Sequence, residues 1–210
     1  MTKIFLTLLA SLFSLAFFSA PAFAGPAPFA VDLSKYDYVD PKREVPTKAL
    51  EKALTYYDVY YNKIANKNYV TVIDFTQNSN SKRMYVIDMK SGLVTRYLVS
   101  HGKGSDPSHT GMAKKFSNVE GSNMSSIGMY VTGGEYSGKH GRSMRLVGLE
   151  KTNDQAMNRA IVVHGAWYVD PQYKPLGRSQ GCPAVEEKYI NTIVTQLKGG
   201  SVYYIWAGQN

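Results

Sequence analysis

Hydrophobic residues recur with two different periods along this chain. Leu50, Ala53, Leu54, Tyr57, Tyr61 and Ile64 fall at helical spacing, which predicts an amphipathic helix over about 48–65 with Thr47 as its N-cap. From Tyr69 the rhythm shortens to β-rich runs, Tyr69 to Thr76, Arg83 to Met89 and Leu93 to His101. Ser91-Gly92 is a hairpin signal between the last two, so the three read as an antiparallel meander. Residues 102–126 are rich in Gly, Ser, Lys and Asn and too long for a simple connection, which predicts a loop bordering a substrate groove. Further strands are predicted at Ile127 to Thr132, Ser143 to Gly148 and Ala160 to His164, with a glycine-rich turn at Glu135 to Gly141. A helix over about Glu186 to Leu197, closed by Gly199-Gly200, and a strand over Ser201 to Ala207 with Val202, Tyr204 and Trp206 alternating complete the pattern.

The opening is different in kind. Lys3, the apolar stretch Ile4 to Phe18 and the small-residue site Ala22-Phe23-Ala24 read as a cleaved signal peptide, residues 1–24. The apolar run is short for a membrane span, so the mature protein is expected to be exported to the periplasm or cell envelope without stable membrane insertion. Residues 25–46, Pro-rich and without a sustained period, read as a linker or a strap, and residues 47–210 as one domain. The element order predicts a β-rich α+β fold with mixed or antiparallel sheets, an N-terminal helix and a second helix after the cysteine.

The chemistry gathers in one stretch. Ile161, Val162 and Val163 form a buried strand pattern that ends on His164, and a polar loop follows to Cys182, the only cysteine, 18 positions after His164 (182 − 164). An unperturbed thiol titrates near ~8.5 and is mostly protonated at neutral pH. An imidazole that takes its proton forms an ion pair with the thiolate, a step typically worth roughly 10²–10⁴ in rate. Isolated cysteines are ordinarily buried small hydrophobes, but Cys182 stands among Ser, Gln, Gly and Pro, which are loop residues. Gly181 permits a sharp turn in which the N–H groups of Gly181 and Cys182 face a developing oxyanion. Arg178 offers positive charge for a substrate carboxylate. Ser179 belongs to the geometry of the loop, and His140 and Arg142, at a turn entering a strand, are candidates to line the pocket opposite Cys182.

His164-Gly165, Leu176-Gly177-Arg178-Ser179 and Gly181-Cys182, followed by a helix and a closing strand, resemble the signature of the YkuD-type L,D-transpeptidases. Gln180 stands where the motif has its second histidine, and Pro183-Ala184-Val185 replaces the usual continuation. Both look like a branch that reads Gly-Arg-Ser-x-Gly-Cys-Pro-Ala, as do Phe116-Ser117-Asn118, Ser125-Ser126-Ile127-Gly128 and Gly138-Lys139-His140-Gly141-Arg142-Ser143. The resemblance spans roughly residues 69–207. It implies Cys182 as acyl-accepting nucleophile, His164 as its base and the Gly165 carbonyl as the group that orients the imidazole. Arg178, Ser179, Gln180, His140 and Arg142 are then the candidates for substrate contact. It also implies that Cys182 attacks a peptidoglycan stem tetrapeptide and releases D-alanine, with an amine or water as acceptor.

Composition narrows the rivals. The net charge of +8 becomes +7 once residues 1–24 are removed, because Lys3 is lost and no acid is (23 basic against 16 acidic residues). Such a surface suits polyanions, but export and the lack of a basic, aromatic-interleaved module exclude nucleic acid. Four histidines with no H-E-x-x-H or H-x-H pair, and no Cys-x-x-Cys, predict no metal and no cofactor. Papain-like and NlpC-like endopeptidases place the cysteine before the histidine, the reverse of the order here. A non-catalytic wall-binding module and a structural protein crosslinked through Cys182 are the readings from other classes.

Overall fold

In the computed structural model residues 31–208 are described, and the expected signal peptide at residues 1–24 lies outside them. The first and last strands of the fold, β1 (Tyr69–Asp74) and β8 (Val202–Trp206), pair in parallel inside the sheet. On the outer side of β1 follow β2 (Met84–Asp88) and β3 (Val94–Tyr97), the antiparallel meander that the runs predict. On the other side of β8 come β4 (Gly128–Gly138), β5 (Gly141–Gly148), β6 (Val162–Gly165) and β7 (Ala184–Val185). The result is one mixed eight-stranded sheet in the order β3-β2-β1-β8-β4-β5-β6-β7.

The two faces of this sheet bury different residues, as the strand period of two requires. Val70, Val72, Tyr85, Ile87, Met129, Val202 and Tyr204 face α1 (Thr47–Val59), which contributes Ala49, Ala53, Leu54 and Tyr57. Ile73, Met84, Val86, Tyr130, Tyr203 and Ile205 face the other way, towards α2 (Glu187–Leu197) and its Ile190, Ile193, Val194 and Leu197. Those four positions follow the i, i+3, i+4, i+7 spacing of a single buried stripe. Residues ahead of α1 lie across the first face, with Val39 and Val45 in its core and the Tyr38 hydroxyl donating to the Met89 carbonyl at 2.6 Å.

Four local expectations are corrected. Helix α1 ends at Val59, where Tyr60 leaves helical geometry, and a 3-10 turn at Tyr61–Lys63 carries Ile64 to the core. Its N-cap is Pro46, whose carbonyl accepts from the Ala49 and Leu50 N–H groups; Thr47 is the first helical residue. The glycine-rich stretch is mostly strand: β4 continues through a register shift between Thr132 and Glu135, so only Lys139 and His140 form the turn to β5. The strand expected from Ala160 starts at Val162, because Ala160 adopts φ +51° and belongs to the preceding turn.

Candidate active site

The site forms at the β6–β7 edge. Strand β7 is only two residues long and carries no period of its own, but it pairs in parallel with β6, setting His164 opposite Ala184 and Gly165 opposite Val185. That register brings the loop ahead of β7 back beside the start of β6. The Cys182 sulfur accepts from the Val162 N–H at 3.5 Å and donates towards the Ala160 carbonyl at 3.6 Å. Val162 is two residues before His164, so thiol and imidazole are delivered by adjacent segments of one sheet edge.

His164 is buried, and its Nδ1 lies 2.9 Å from the Gly165 carbonyl oxygen. A carbonyl only accepts, so in the neutral ring Nδ1 carries the proton and Nε2 the lone pair. His140, exposed at the β4–β5 turn, stacks on this imidazole with centroids 4.2 Å apart and planes inclined by 23°. Burial pushes the His164 pKa below its ordinary value; the Gly165 carbonyl opposes this, and His140 and Lys139 add to the lowering. Burial also pushes the Cys182 thiol up, against the Val162 N–H, Arg159 and Lys139, which favour the thiolate. Both shifts favour the uncharged forms, a thiol at Cys182 and a neutral imidazole at His164.

Two serines set the turn. The Ser179 hydroxyl donates to the Cys182 carbonyl at 2.6 Å and accepts from the Gly181 N–H at 3.0 Å. Fully buried Ser125 donates to the Gly181 carbonyl at 3.0 Å and accepts from the Gly102 N–H at the same distance. Gly181 itself has φ +130°, a conformation open to glycine. The expectation that the Gly181 N–H serves an oxyanion is therefore corrected, since the Ser179 hydroxyl already occupies it. The Cys182 N–H favours the thiolate form of its own side chain.

The remaining candidates divide. Gln180 is exposed on the turn. Arg178 donates through Nη1 to the carbonyls of Asp106 and Pro107, the latter at 3.2 Å, so it ties down the long loop from the catalytic side. Arg142 is engaged with Glu135 at 2.6 Å and with the Asn191 carbonyl and Thr195 hydroxyl of α2. Sequence reasoning missed Arg159 and Tyr168, both of which interact electrostatically with Cys182, and gave no role to Ser125. No spacing rule exposes these three, because each reaches the turn from a separate loop.

Beneath the loop is a buried polar group. Arg83 donates to the Val99 carbonyl at 3.0 Å and to His101 Nδ1 at 2.7 Å, and His101 Nε2 faces Asp106 at 3.5 Å. The His101 carbonyl in turn accepts the Ser179 N–H at 3.0 Å, and the Ser179 carbonyl accepts the Lys103 N–H at 2.8 Å. Among the described residues no three His, Cys, Asp or Glu side chains are grouped to hold a metal. No helix among them is long and apolar enough to cross a membrane.

A family model described as the L,D-transpeptidase catalytic domain matches residues 41–206. Among solved structures the chain is similar to an L,D-transpeptidase from Mycobacterium smegmatis, with 11% identity over 67% of this chain and 59% of that one and a TM-score of 0.42. It is also similar to the helical cell shape determining protein Pgp2 from Campylobacter jejuni, with 14% identity over 73% of this chain and 56% of that one and a TM-score of 0.42. An L,D-transpeptidase from Xylanimonas cellulosilytica shares 15% identity over 66% of this chain and 60% of its own, with a TM-score of 0.37. The chain thus spans less than two thirds of the length of each of these three structures. A search of curated proteins finds no match.

Proposed function

Because this chain belongs to the L,D-transpeptidase catalytic domain family, we propose that it is an exported cysteine acyltransferase acting on peptidoglycan stem peptides. The observation that carries the reading is the contact from the Val162 N–H to the Cys182 sulfur, which lays the chain's only thiol against the strand that carries His164. The N-terminal apolar stretch and small-residue site support export.

In this reading the Cys182 sulfur attacks the carbonyl of the third stem residue while His164 Nε2 takes the thiol proton. The tetrahedral oxyanion is met by the Cys182 N–H. Collapse breaks the bond to D-alanine, whose amine receives the proton from His164, and leaves a thioester on Cys182. His164 then deprotonates the acceptor. A stem amine gives a 3-3 crosslink, and water gives a tripeptide.

Incubating the mature protein with purified disaccharide-tetrapeptide, beside Cys182→Ser, tests this by mass spectrometry. Dimers lacking one D-alanine establish transpeptidation, and tripeptide monomers establish carboxypeptidase action. Cys182→Ser should keep its fold and lose both products. Folded protein that yields neither product from tetrapeptide or from intact sacculi, or a serine variant as active as the parent, overturns the proposal.

A further inference from the structure

Arg159 stands three residues before β6, in the turn that returns the chain to the sheet. It is half-buried, and its guanidinium is anchored at two points, Nη1 donating to the Ser117 carbonyl at 2.8 Å and Nη2 to the Met124 carbonyl at 2.6 Å. Both acceptors are neutral. Nη2 lies 3.3 Å from where a side chain on Gly181 would begin, so the cation presses on the catalytic turn itself. The next residue, Ala160, is held at φ +51° with its carbonyl towards the Cys182 sulfur. Left-handed geometry at a non-glycine residue persists only where surrounding contacts enforce it.

Desolvating a guanidinium is unfavourable unless it gains a countercharge or a strong set of acceptors. Neutral donors would serve to tie two carbonyls together, whereas a charge placed here is of use when the neighbouring sulfur becomes an anion. We propose that Arg159 is the fixed cation of this site, a positioning residue that, anchored on the Ser117 carbonyl, holds the Met124 carbonyl against Gly181 and keeps positive charge beside the catalytic turn for the thiolate that forms when Cys182 loses its proton.

The charged and titratable groups of this part of the molecule come from several elements. Arg159 precedes β6, His164 lies on it, Lys139 and His140 occupy the β4–β5 turn, and Tyr168 follows β6. Arg159 is in turn influenced by Tyr130 of β4 and Glu120 of the long loop. Of the two cations that favour the thiolate, Arg159 acts more strongly than Lys139, which is exposed.

This inference rests on Cys182 as nucleophile, but its test needs no wall substrate, so the two can fail separately. The rate of Cys182 alkylation by iodoacetamide, an uncharged reagent, is followed against pH in the mature protein and in folded Arg159→Gln and Arg159→Lys variants. Removing the charge should move the midpoint up by about one pH unit and slow alkylation at pH 7 about tenfold. Arg159→Lys should recover part of the shift. A folded Arg159→Gln protein with the parental midpoint overturns the proposal. Should Arg159→Gln not fold, the exposed Lys139→Gln decides: a midpoint within about 0.3 unit of the parent supports Arg159 as the cation, and a larger rise transfers that role to Lys139.

Discussion

His164 is hydrogen-bonded to its own neighbour in the chain, its Nδ1 meeting the Gly165 carbonyl at 2.9 Å. In the neutral ring Nε2 therefore carries the lone pair. A side chain on Gly165 would begin 3.3 Å from the Glu187 Cα and the Ile190 Cγ2, a tight fit that would push β6 and α2 apart by a few tenths of an ångström.

His164→Ala should lower acylation by stem peptide by about 10²–10⁴-fold. Burial holds the His164 pKa below 6.5, so the base form persists at neutral pH and the acid limb of the parental profile should fall below 6.5. The thiol is held above 9.0, so the variant's rate should climb with pH until the solution itself ionises the thiol. Acylation read by intact mass across pH checks both limbs; a variant with the parental profile would remove His164 as the base.

Gly181→Ala places a methyl group at φ +130°, 2.9 Å from the Met124 carbonyl and 3.2 Å from the Ile161 Cδ1. The Met124 carbonyl is backbone and cannot easily retreat. The expected outcome is a loss of about 1–3 kcal/mol in stability together with loss of turnover. Denaturant unfolding and product assays on one preparation measure both.

Arg178 reaches two main-chain carbonyls of the long loop, at Asp106 and Pro107. Its replacement by Ala should lower kcat and expose residues 106–110 to proteolysis, with KM for the stem peptide nearly unchanged. A raised KM with an unaltered loop would return Arg178 to the carboxylate-binding role its charge suggests.

The buried His101 makes stability depend on pH. Burial, reinforced by Arg83, lowers its pKa from 6.5 to about 4. Between those values the unfolded chain binds a proton that the folded chain refuses, so stability is full above 6.5 and is lost as pH falls. The loss by pH 4 should be roughly 3 kcal/mol. His164, also lowered by burial, adds to the same window, whereas Asp106 is held below 3.8 and titrates later. Urea unfolding at pH 7 and 4.5 should show the drop, and His101→Gln should reduce it without abolishing it.

Much of the fold was legible because burial on both faces of one sheet imposes simple periods. Val202, Tyr204 and Trp206 alternate onto one face, and Ile190, Ile193, Val194 and Leu197 keep one helical stripe. The ends were less legible: Pro46 rather than Thr47 caps α1, and Gly133 and Gly134 fall within a continuous strand. A boundary depends on one or two hydrogen bonds, which leave little pattern in sequence.

By itself the sequence singled out the candidate pair. His164 at the end of an apolar run and Cys182 in a Gly-Cys-Pro turn are local features, set by residue type and short spacing. Tertiary structure decided how that pair rests and what holds it. The two residues of β7 bring the turn to β6, Arg159 and Ser125 reach it from distant loops, and Arg178 spends its hydrogen bonds on the protein's own backbone. The direction in which each pKa is pushed was decided there too, since desolvation is a property of everything packed around a group and not of its neighbours in the chain.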